Sequence, residues 1–269
     1  MELMGLIIEL KKKYNSIMVR GDKVIAISAF IKNHIISSYN VDEDKVETIP
    51  RGIDMSVFNS KNVSNERLIS LTNKFSIPDD SYVILLPGRI TRWKGHILLI
   101  KAIAELKRKN LLCIIVGDSQ GRTKYVAELH KLINKYELTN KFRIAENQID
   151  MSAIYKLSDI VISASTDPEA FGRVIAEAQA MGRLTIAADH GGASEIIIDG
   201  VTGWLFEPNN SSALAKKIDY ALKISLEDRN IMAIKSVERI KKYFDNKFMS
   251  LRTIKVYKDI LSKLVPDAK

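Results

Sequence analysis

Two glutamates eight positions apart, Glu169 and Glu177, flank a Phe-Gly step. The run Asp159–Ser165 before them is typical of a strand, and the residues after Gly172 are typical of a helix. A helix that begins at a glycine offers free backbone N–H groups and the positive end of its dipole, which suit a phosphate. An ordinary amphipathic helix would give the same pattern. If other motifs in the chain also indicate a ligand site, one carboxylate could bind sugar hydroxyls and the other ribose hydroxyls, with a diphosphate between them.

Two cations follow another candidate strand, Tyr82–Leu86. Arg89 and Lys94 lie in the loop that begins at Gly88, at the carboxyl end of that strand. Two cations in such a place can clamp a diphosphate, and the arginine fork can bind two oxygens at once. A solvated basic loop would have the same composition. The spacing is not that of a Walker loop, because no Gly-Lys-Ser/Thr follows at the required offset.

Two further glycine turns follow candidate strands. Gly117 and Asp118 form one of them, where the glycine would allow a ring or ribose to approach the backbone closely. Gly191 and Gly192 begin a helix and make a second turn that suits an anion, with His190 beside it as a candidate base or a structural histidine. No G-x-G-x-x-G occurs, which disfavours a dinucleotide dehydrogenase. No spaced set of histidines, cysteines and carboxylates indicates a metal site.

Composition narrows the class of protein. The 269 residues are 46% hydrophobic and 27% charged, as in a soluble globular protein. No apolar run approaches the roughly 20 residues that span a bilayer, and the first ten residues lack the features of a signal peptide. The single cysteine, Cys113, excludes a disulfide or a zinc cluster within one chain and fits a reducing compartment. We therefore expect a cytoplasmic protein.

The chain is basic, with 41 Lys and Arg against 32 Asp and Glu, a net charge of +9. The lysines are spread along the chain and form no arginine-rich tract, so we do not expect nucleic-acid binding. The net charge favours an anionic substrate and a weak peripheral contact with an anionic inner membrane.

Apolar strands that alternate with helices predict an α/β fold whose parallel sheet is covered on both faces. Residues 82–225 make one complete doubly wound domain, with its ligand site at the carboxyl ends of the strands. Residues 1–50 contain only one or two strands and are typical of the end of a larger domain. We expect three segments: a partial N-terminal Rossmann-like domain at 1–54, a complete domain at 55–240 and a C-terminal helix within 241–269.

The chain resembles the retaining glycosyltransferases of family 4, which have the GT-B architecture of two Rossmann-like domains. The similar pieces occur in the family's order over about residues 20–220. They are Ala26-Ile27-Ser28, Ile49–Asp54 with Phe58, Gly88-Arg89 with Lys94-Gly95, Val116-Gly117-Asp118, Ser165 through Glu169–Gly172 to Glu177-Ala178, Gly191-Gly192 with Glu195, and Asp199-Gly200 with Thr202-Gly203.

The resemblance implies transfer of a sugar from a nucleoside diphosphate to an acceptor with retention at the anomeric carbon, without a metal or other cofactor. It implies that Glu169 contacts the transferred sugar, that Arg89 and Lys94 neutralise the diphosphate, and that Glu177 holds the ribose hydroxyls. It assigns other donor contacts to Gly88, Gly117, Asp118, Phe171, Gly172 and Val174.

Family members begin with a complete N-terminal domain that binds the acceptor, and the resemblance implies that about 100 residues of it are missing here. The expected partners are a nucleotide-sugar donor, a glycan or lipid-linked acceptor and a complementary N-terminal half. The C-terminal helix would pack back toward that N-terminal domain. The form Ile49–Asp54, with Arg51 where many members have Asn, is similar to enzymes of bacterial envelope polysaccharide or lipopolysaccharide synthesis.

Three other functions fit the same residues. The chain could be a non-catalytic subunit that binds a nucleotide-sugar, an inactive truncated remnant, or another GT-B enzyme such as a sugar-nucleotide epimerase. The spacing of Glu169 and Glu177 disfavours the epimerase.

Overall fold

The computed structural model describes residues 13–106, 108–146 and 150–264. Its strands are β1 (Val24–Ala26), β2 (Val46–Thr48), β3 (Tyr82–Pro87), β4 (Leu111–Val116), β5 (Phe142–Ala145), β6 (Ile160–Ser163), β7 (Leu184–Ala188) and β8 (Trp204–Phe206). Its main helices are α1 (Ala29–Tyr39), α2 (Asn65–Phe75), α3 (His96–Glu105), α4 (Thr123–Lys135), α5 (Met151–Leu157), α6 (Arg173–Ala180), α7 (Gly191–Ile196), α8 (Ser211–Ala221), α9 (Leu226–Tyr243) and α10 (Asn246–Leu264).

Contacts divide the chain into two compact units, one made of Met1–Gly52 with Asn246–Lys269 and the other of Ile53–Asp245. The sequence analysis expected three segments, and here the C-terminal helix shares a unit with the N-terminal residues. Ile53 belongs to the second unit because its N–H donates to the carbonyl of Phe244 at 2.7 Å. The assignment of the units to acceptor and donor binding stays a prediction.

The first unit contains the parallel pair β1 and β2, joined by α1. The hydroxyl of Ser28 accepts a hydrogen bond from Ile31 N at 3.1 Å and caps α1, as expected from its residue type. Helix α10 belongs to the same unit, where Arg252 Nη2 lies 2.9 Å from Glu47 Oε1.

The second unit is built on a six-stranded sheet in the order β5-β4-β3-β6-β7-β8, with every neighbouring pair parallel. Consecutive β3, β4 and β5 extend in one direction, and the chain then returns to place β6 on the other side of β3. A doubly wound sheet of this kind binds ligands where the strand order reverses, beyond the carboxyl ends of the strands. The site is therefore expected above β3 and β6.

The strands of this sheet are buried on both faces, which explains why they are apolar throughout. Ile84 and Leu85 of β3 are neighbours in sequence and point to opposite faces, yet both have no exposed surface. The expectation of an α/β fold with one doubly wound sheet and a smaller parallel pair is confirmed.

Helix α3 ends at Glu105, because Leu106 has an extended backbone. Helix α7 begins at Gly191, as expected from the sequence. No helix in the described part of the chain is both long and apolar enough to cross a bilayer.

Gly95 lets the loop after β3 approach the end of β6. Its φ is +75°, and a Cβ built there would lie 1.7 Å from the carbonyl oxygen of Ala164. Gly121 has nearly the same backbone, with φ +76°, but a Cβ there would meet nothing within 4 Å. Substitution of Gly121 therefore measures the cost of a left-handed backbone alone, whereas substitution of Gly95 adds the cost of a clash with Ala164.

We expect Gly95→Ala to lower the free energy of unfolding by about 3 kcal/mol or more, because the new methyl group would force apart two backbone segments. Gly121→Ala should cost only about 1–2 kcal/mol, the usual penalty of a left-handed residue. Denaturant unfolding monitored by circular dichroism measures both. Equal losses in the two variants would show that close approach at Gly95 is unimportant.

Candidate functional site

Two loops meet at the point where the strand order reverses. The loop after β3 carries Lys94, and the loop between β6 and α6 carries Glu169. Lys94 Nζ lies 2.8 Å from Glu169 Oε1, and the two side chains are only 11% and 10% exposed. The structure thus pairs two of the residues that the sequence assigned to the site.

The Glu169 carboxylate is held from several directions. Oε1 also accepts hydrogen bonds from Ser163 Oγ at 3.0 Å and from Ser165 Oγ. Burial alone would raise the pKa of Glu169, but the Lys94 ammonium and these hydrogen bonds outweigh it, and the pKa lies below its ordinary value. Glu169 is therefore ionised at neutral pH although it is largely buried.

Trp93 ties the two loops together. Its carbonyl accepts a hydrogen bond from Thr166 N at 2.7 Å. Its ring lies 4.4 Å from Lys94 Nζ and 6.0 Å from Arg89 Cζ, which is a cation–π geometry for both cations. The indole thus supports Lys94 and Arg89 together.

The glycines at 191 and 192 have a different role from the anion-binding turn that the sequence suggested. A Cβ at Gly191 would lie 2.6 Å from Glu169 O, and one at Gly192 would lie 2.6 Å from Ala170 O. Gly192 N donates to Glu169 O at 2.7 Å, so this N–H is already used inside the protein. His190 makes a similar contact, from Nε2 to the carbonyl oxygen of Ser165 at 2.9 Å. The start of α7 therefore fixes the backbone that carries Glu169.

Glu177 lies on α6 and is buried, with 6% of its surface exposed. Tyr155 Oη donates to Glu177 Oε2 at 2.9 Å, and Arg173 Nε donates to Oε1 at 2.6 Å. Burial and the neighbouring carboxylate raise the pKa of Tyr155, so its hydroxyl stays protonated and remains a donor. The carboxylate of Glu177 is thus fixed in position.

The turn before α6 has the geometry of an anion-binding helix start. Gly172 has φ +94°, and a Cβ there would lie 2.6 Å from Ala193 Cα. The first helical bond runs from Ile175 N to Gly172 O at 3.0 Å, so the N–H groups of Arg173 and Val174 lie ahead of the first turn. These two groups can donate to a phosphate.

Phe171 belongs to the turn before α6, and contact of this turn with a phosphate stays a prediction. The side chain of Phe171 is buried, and its ring packs against Phe244 with the centroids 5.9 Å apart. The ring therefore anchors the turn to the protein interior, and the backbone of Phe171 lies next to the start of α6.

Arg89 is exposed and, among the residues that the structure describes, forms no ion pair. Gly88 has φ +140°, a backbone that favours glycine, and a Cβ there would make an ordinary contact at 3.5 Å from Lys94 Cε. The structure brings Lys94 into the pair with Glu169 and leaves the Arg89 guanidinium available to a ligand.

Gly117 and Asp118 are explained by contacts within the protein. A Cβ at Gly117 would lie 1.9 Å from Gly88 O, so glycine is needed where the ends of β3 and β4 meet. Asp118 Oδ1 accepts a hydrogen bond from Gln120 N at 2.7 Å and forms a turn. Contact of either residue with a ligand stays a prediction.

The structure adds three residues that the sequence analysis missed: Ser163, Tyr155 and Trp93. Ser163 could have been found, because it lies two residues before Ser165 in an extended segment and therefore on the same side. Tyr155 lies on α5 in the middle of an apolar run, where no sequence signal links its hydroxyl to Glu177. The described part of the chain contains no group of three or more histidines, cysteines and carboxylates that could hold a metal.

A doubly wound domain with paired loops, a cation and a helix start at its switch point is typical of domains that bind an anionic ligand there. Comparison with known proteins shows the family. Residues 70–239 match the family model of glycosyl transferases group 1, and residues 7–57 match that of glycosyltransferase family 4. The chain belongs to the glycosyl transferases group 1 family, and its solved relatives have the GT-B fold.

Two solved structures are similar to the chain. A glycosyltransferase from Rickettsia africae aligns with a TM-score of 0.89 and 40% identity over 94% of this chain and 67% of that one. The Anabaena protein HepE, solved with UDP-glucose, aligns with a TM-score of 0.82 and 27% identity over 89% of this chain and 64% of that one.

A curated relative is the lipopolysaccharide 1,2-N-acetylglucosaminetransferase of Salmonella typhimurium, which is 31% identical over 74% of this chain and 53% of its own length. The chain spans about half the length of such relatives, with 50% and 48% of two others covered.

We expect Lys94→Gln to raise the pKa of Glu169, because burial then acts without the opposing ammonium. Carboxyl-carbon NMR titration measures this pKa. In the unmodified protein the ionised form contributes stability above the ordinary pKa, and this contribution is lost as the pH falls through the depressed pKa.

The matched control is Lys101→Gln, which removes one exposed lysine from α3. It should leave the pKa of Glu169 unchanged. An unshifted pKa in Lys94→Gln would contradict the ion pair.

Proposed function

We propose that the chain binds a nucleoside-diphosphate sugar and supplies the donor half of a retaining glycosyltransferase. The observation that carries this proposal is the buried pair of Lys94 with Glu169, which lies beside the helix start at Gly172. The pair lies at the position where a doubly wound sheet binds its ligand, and this position supports roles for the cation in diphosphate binding and for the carboxylate in sugar binding.

Lys94 and Arg89 would stabilise the departing diphosphate. An ammonium has three N–H donors, and Lys94 uses one on Glu169, so two remain for phosphate oxygens. Arg89 adds a planar fork that can bind two oxygens. Negative charge grows on the diphosphate as the bond to the sugar breaks, and two cations fixed nearby lower the energy of that state. In this proposal they supply the charge that a metal ion supplies in other transferases.

Glu169 would orient the sugar. An ionised carboxylate only accepts hydrogen bonds, so it can bind sugar hydroxyls, which donate. Its depressed pKa keeps it in this form at neutral pH. Lys94 and the two serines all contact Oε1 of Glu169, so none of them occupies Oε2.

Glu177 would bind the ribose of the nucleotide. Its two oxygens have about four acceptor positions, of which Tyr155 and Arg173 use one each. The remaining positions can accept from the two ribose hydroxyls. The structures of HepE with UDP and UDP-glucose support a donor of this class for the present chain. The Salmonella relative supports a role in lipopolysaccharide or other envelope polysaccharide synthesis.

We expect Glu177→Gln to weaken binding of the preferred nucleoside diphosphate by about tenfold or more, because a charged hydrogen-bond acceptor is lost. Titration calorimetry with UDP, GDP and ADP measures this, and Glu238→Gln on the exposed face of α9 is the control. The fold should remain intact, since the amide oxygen can still accept from Tyr155. If none of the three nucleotides binds the unmodified chain, the assignment of the site is wrong.

Transfer of the sugar should need groups from a complementary half. The solved relatives extend beyond the matched region, with 67% and 64% of their chains covered. We expect the 269-residue chain alone to bind the donor without transferring sugar, and transfer to appear when a complementary N-terminal domain is added. Release of nucleoside diphosphate measures turnover, with Glu169→Gln as the inactive control.

The same assay distinguishes the alternative of a non-catalytic subunit that binds a nucleotide-sugar. Such a subunit would bind the donor and remain inactive with every complementary half. Turnover by the chain alone would contradict the requirement for a second half.

A further inference from the structure

Helix α7 contacts two parts of the candidate donor site. Near its start, Gly192 N donates to the carbonyl oxygen of Glu169 at 2.7 Å. The next residue, Ala193, lies against the turn before α6, where a Cβ at Gly172 would come 2.6 Å from its Cα. The position of α7 therefore sets the position of the Glu169 backbone relative to the turn whose N–H groups can donate to a phosphate.

Helix α7 is too short to hold this position by its own hydrogen bonds. It has six residues, from Gly191 to Ile196. Helices of this length are unstable in isolation, because the cost of nucleation exceeds the gain from so few hydrogen bonds. The last four carbonyl groups of an α-helix also lack partners within the helix. What binds the carboxyl end of α7 therefore decides whether its start stays in place.

Arg239 of α9 binds the carboxyl end of α7. Its Nε donates to the carbonyl oxygen of Ile196 at 2.7 Å, and its Nη2 donates to that of Glu195 at 2.9 Å. These carbonyl groups belong to the last two residues of the helix. A guanidinium suits this place, because its positive charge faces the negative end of the helix dipole and its planar fork binds two oxygens in a fixed geometry.

The same guanidinium also packs beside the ring that supports the turn before α6. Arg239 Cζ lies 5.7 Å from the centre of the Phe244 ring and 5.5 Å from that of Tyr243, which is a cation–π geometry. Phe244 in turn packs against Phe171, the residue before Gly172. Two series of contacts therefore lead from Arg239 to the donor site, one through α7 and one through Phe244.

We propose that Arg239 is a positioning residue of the donor site. It acts through α7, which holds the Glu169 backbone, and through Phe244, which holds the turn before α6. The proposal rests on the proposed function, because the donor site is what Arg239 positions. Arg239 lies in the interior of α9, follows no strand and begins no helix, so the local sequence gives no sign of this role.

A second arginine offers a matched control. Arg183 also donates to backbone carbonyl groups, from Nε to Met181 at 3.2 Å and from Nη1 to Lys156 and Ser158 at 3.3 and 3.4 Å. These carbonyl groups lie at the carboxyl ends of α5 and α6, so Arg183 holds the end of α6 that is opposite to Gly172. Loss of its guanidinium should destabilise the fold without releasing α7.

The first measurement is amide hydrogen exchange of Gly192 in the full chain, followed by NMR. Exchange at Ile114, which is buried in the middle of the sheet, reports global unfolding, and the ratio of the two rates isolates local opening at α7. We expect Arg239→Gln to raise this ratio about tenfold or more, because the charge and the fork are lost together. Arg183→Gln should change the ratio less than about twofold.

Arg239→Lys tests rescue by a conservative change. Lysine keeps the positive charge at the end of α7 but lacks the fork, so the exchange ratio at Gly192 should lie between that of the unmodified protein and that of Arg239→Gln.

The second measurement is titration calorimetry with UDP, GDP or ADP, whichever binds the unmodified chain most tightly. We expect the affinity to fall several-fold in Arg239→Gln, because the turn before α6 and the Glu169 backbone lose their common support. In Arg183→Gln it should change less than about twofold, since the start of α6 stays in place.

Two results would overturn the proposal. One is an exchange ratio at Gly192 that is unchanged in Arg239→Gln or that changes equally in Arg183→Gln. The other is an unchanged nucleotide affinity when exchange at Gly192 has become faster. If Arg239→Gln does not fold, Arg239→Lys and Arg183→Lys make the same comparison. If no nucleotide binds the unmodified chain, the proposed function is wrong, whereas exchange at Gly192 still decides whether Arg239 positions the Glu169 backbone.

Discussion

The buried ion pair between Lys94 and Glu169 is the interaction on which the rest of the candidate site depends. Removing two charges from water costs several kcal/mol per ion, so a pair of this kind persists only when its geometry is good and its remaining acceptors are satisfied. Here the serines at the end of β6 provide those additional hydrogen bonds. The pair also joins the loop after β3 to the loop after β6, which are the two loops that flank the reversal of strand order.

Glycines make this arrangement possible by allowing backbones to approach each other closely. Gly95 brings the loop of Lys94 against Ala164, and Gly191 and Gly192 bring the start of α7 against the backbone of Glu169. Glycine-rich motifs near a ligand site are often interpreted as room for the ligand. In this protein several of them are required by the protein's own backbone, and the ligand benefits indirectly because the carboxylate and the ammonium are held rigidly.

Positive charge is distributed over two neighbouring places with different surroundings. Lys94 is largely buried and neutralised by Glu169, whereas Arg89, Arg122 and Lys124 are exposed and have no carboxylate partner among the residues that the structure describes. A fixed, paired cation suits a reacting diphosphate, because it is already oriented when charge develops. Trp93 lies between the two and contacts a cation of each.

The amino-acid sequence by itself determined the fold class and most element positions, because each buried strand is a continuous apolar run and each helix has its own start and stop signals. It also determined which residue types could bind a donor, since Glu169, Glu177, Arg89 and Lys94 follow strands or begin a helix. Only the tertiary structure decided which of them meet. Lys94 and Glu169 are 75 residues apart, and Tyr155 and Glu177 are 22 apart. Local patterns carry no information about such pairs, because the distance between two side chains depends on how the strands are ordered in the sheet.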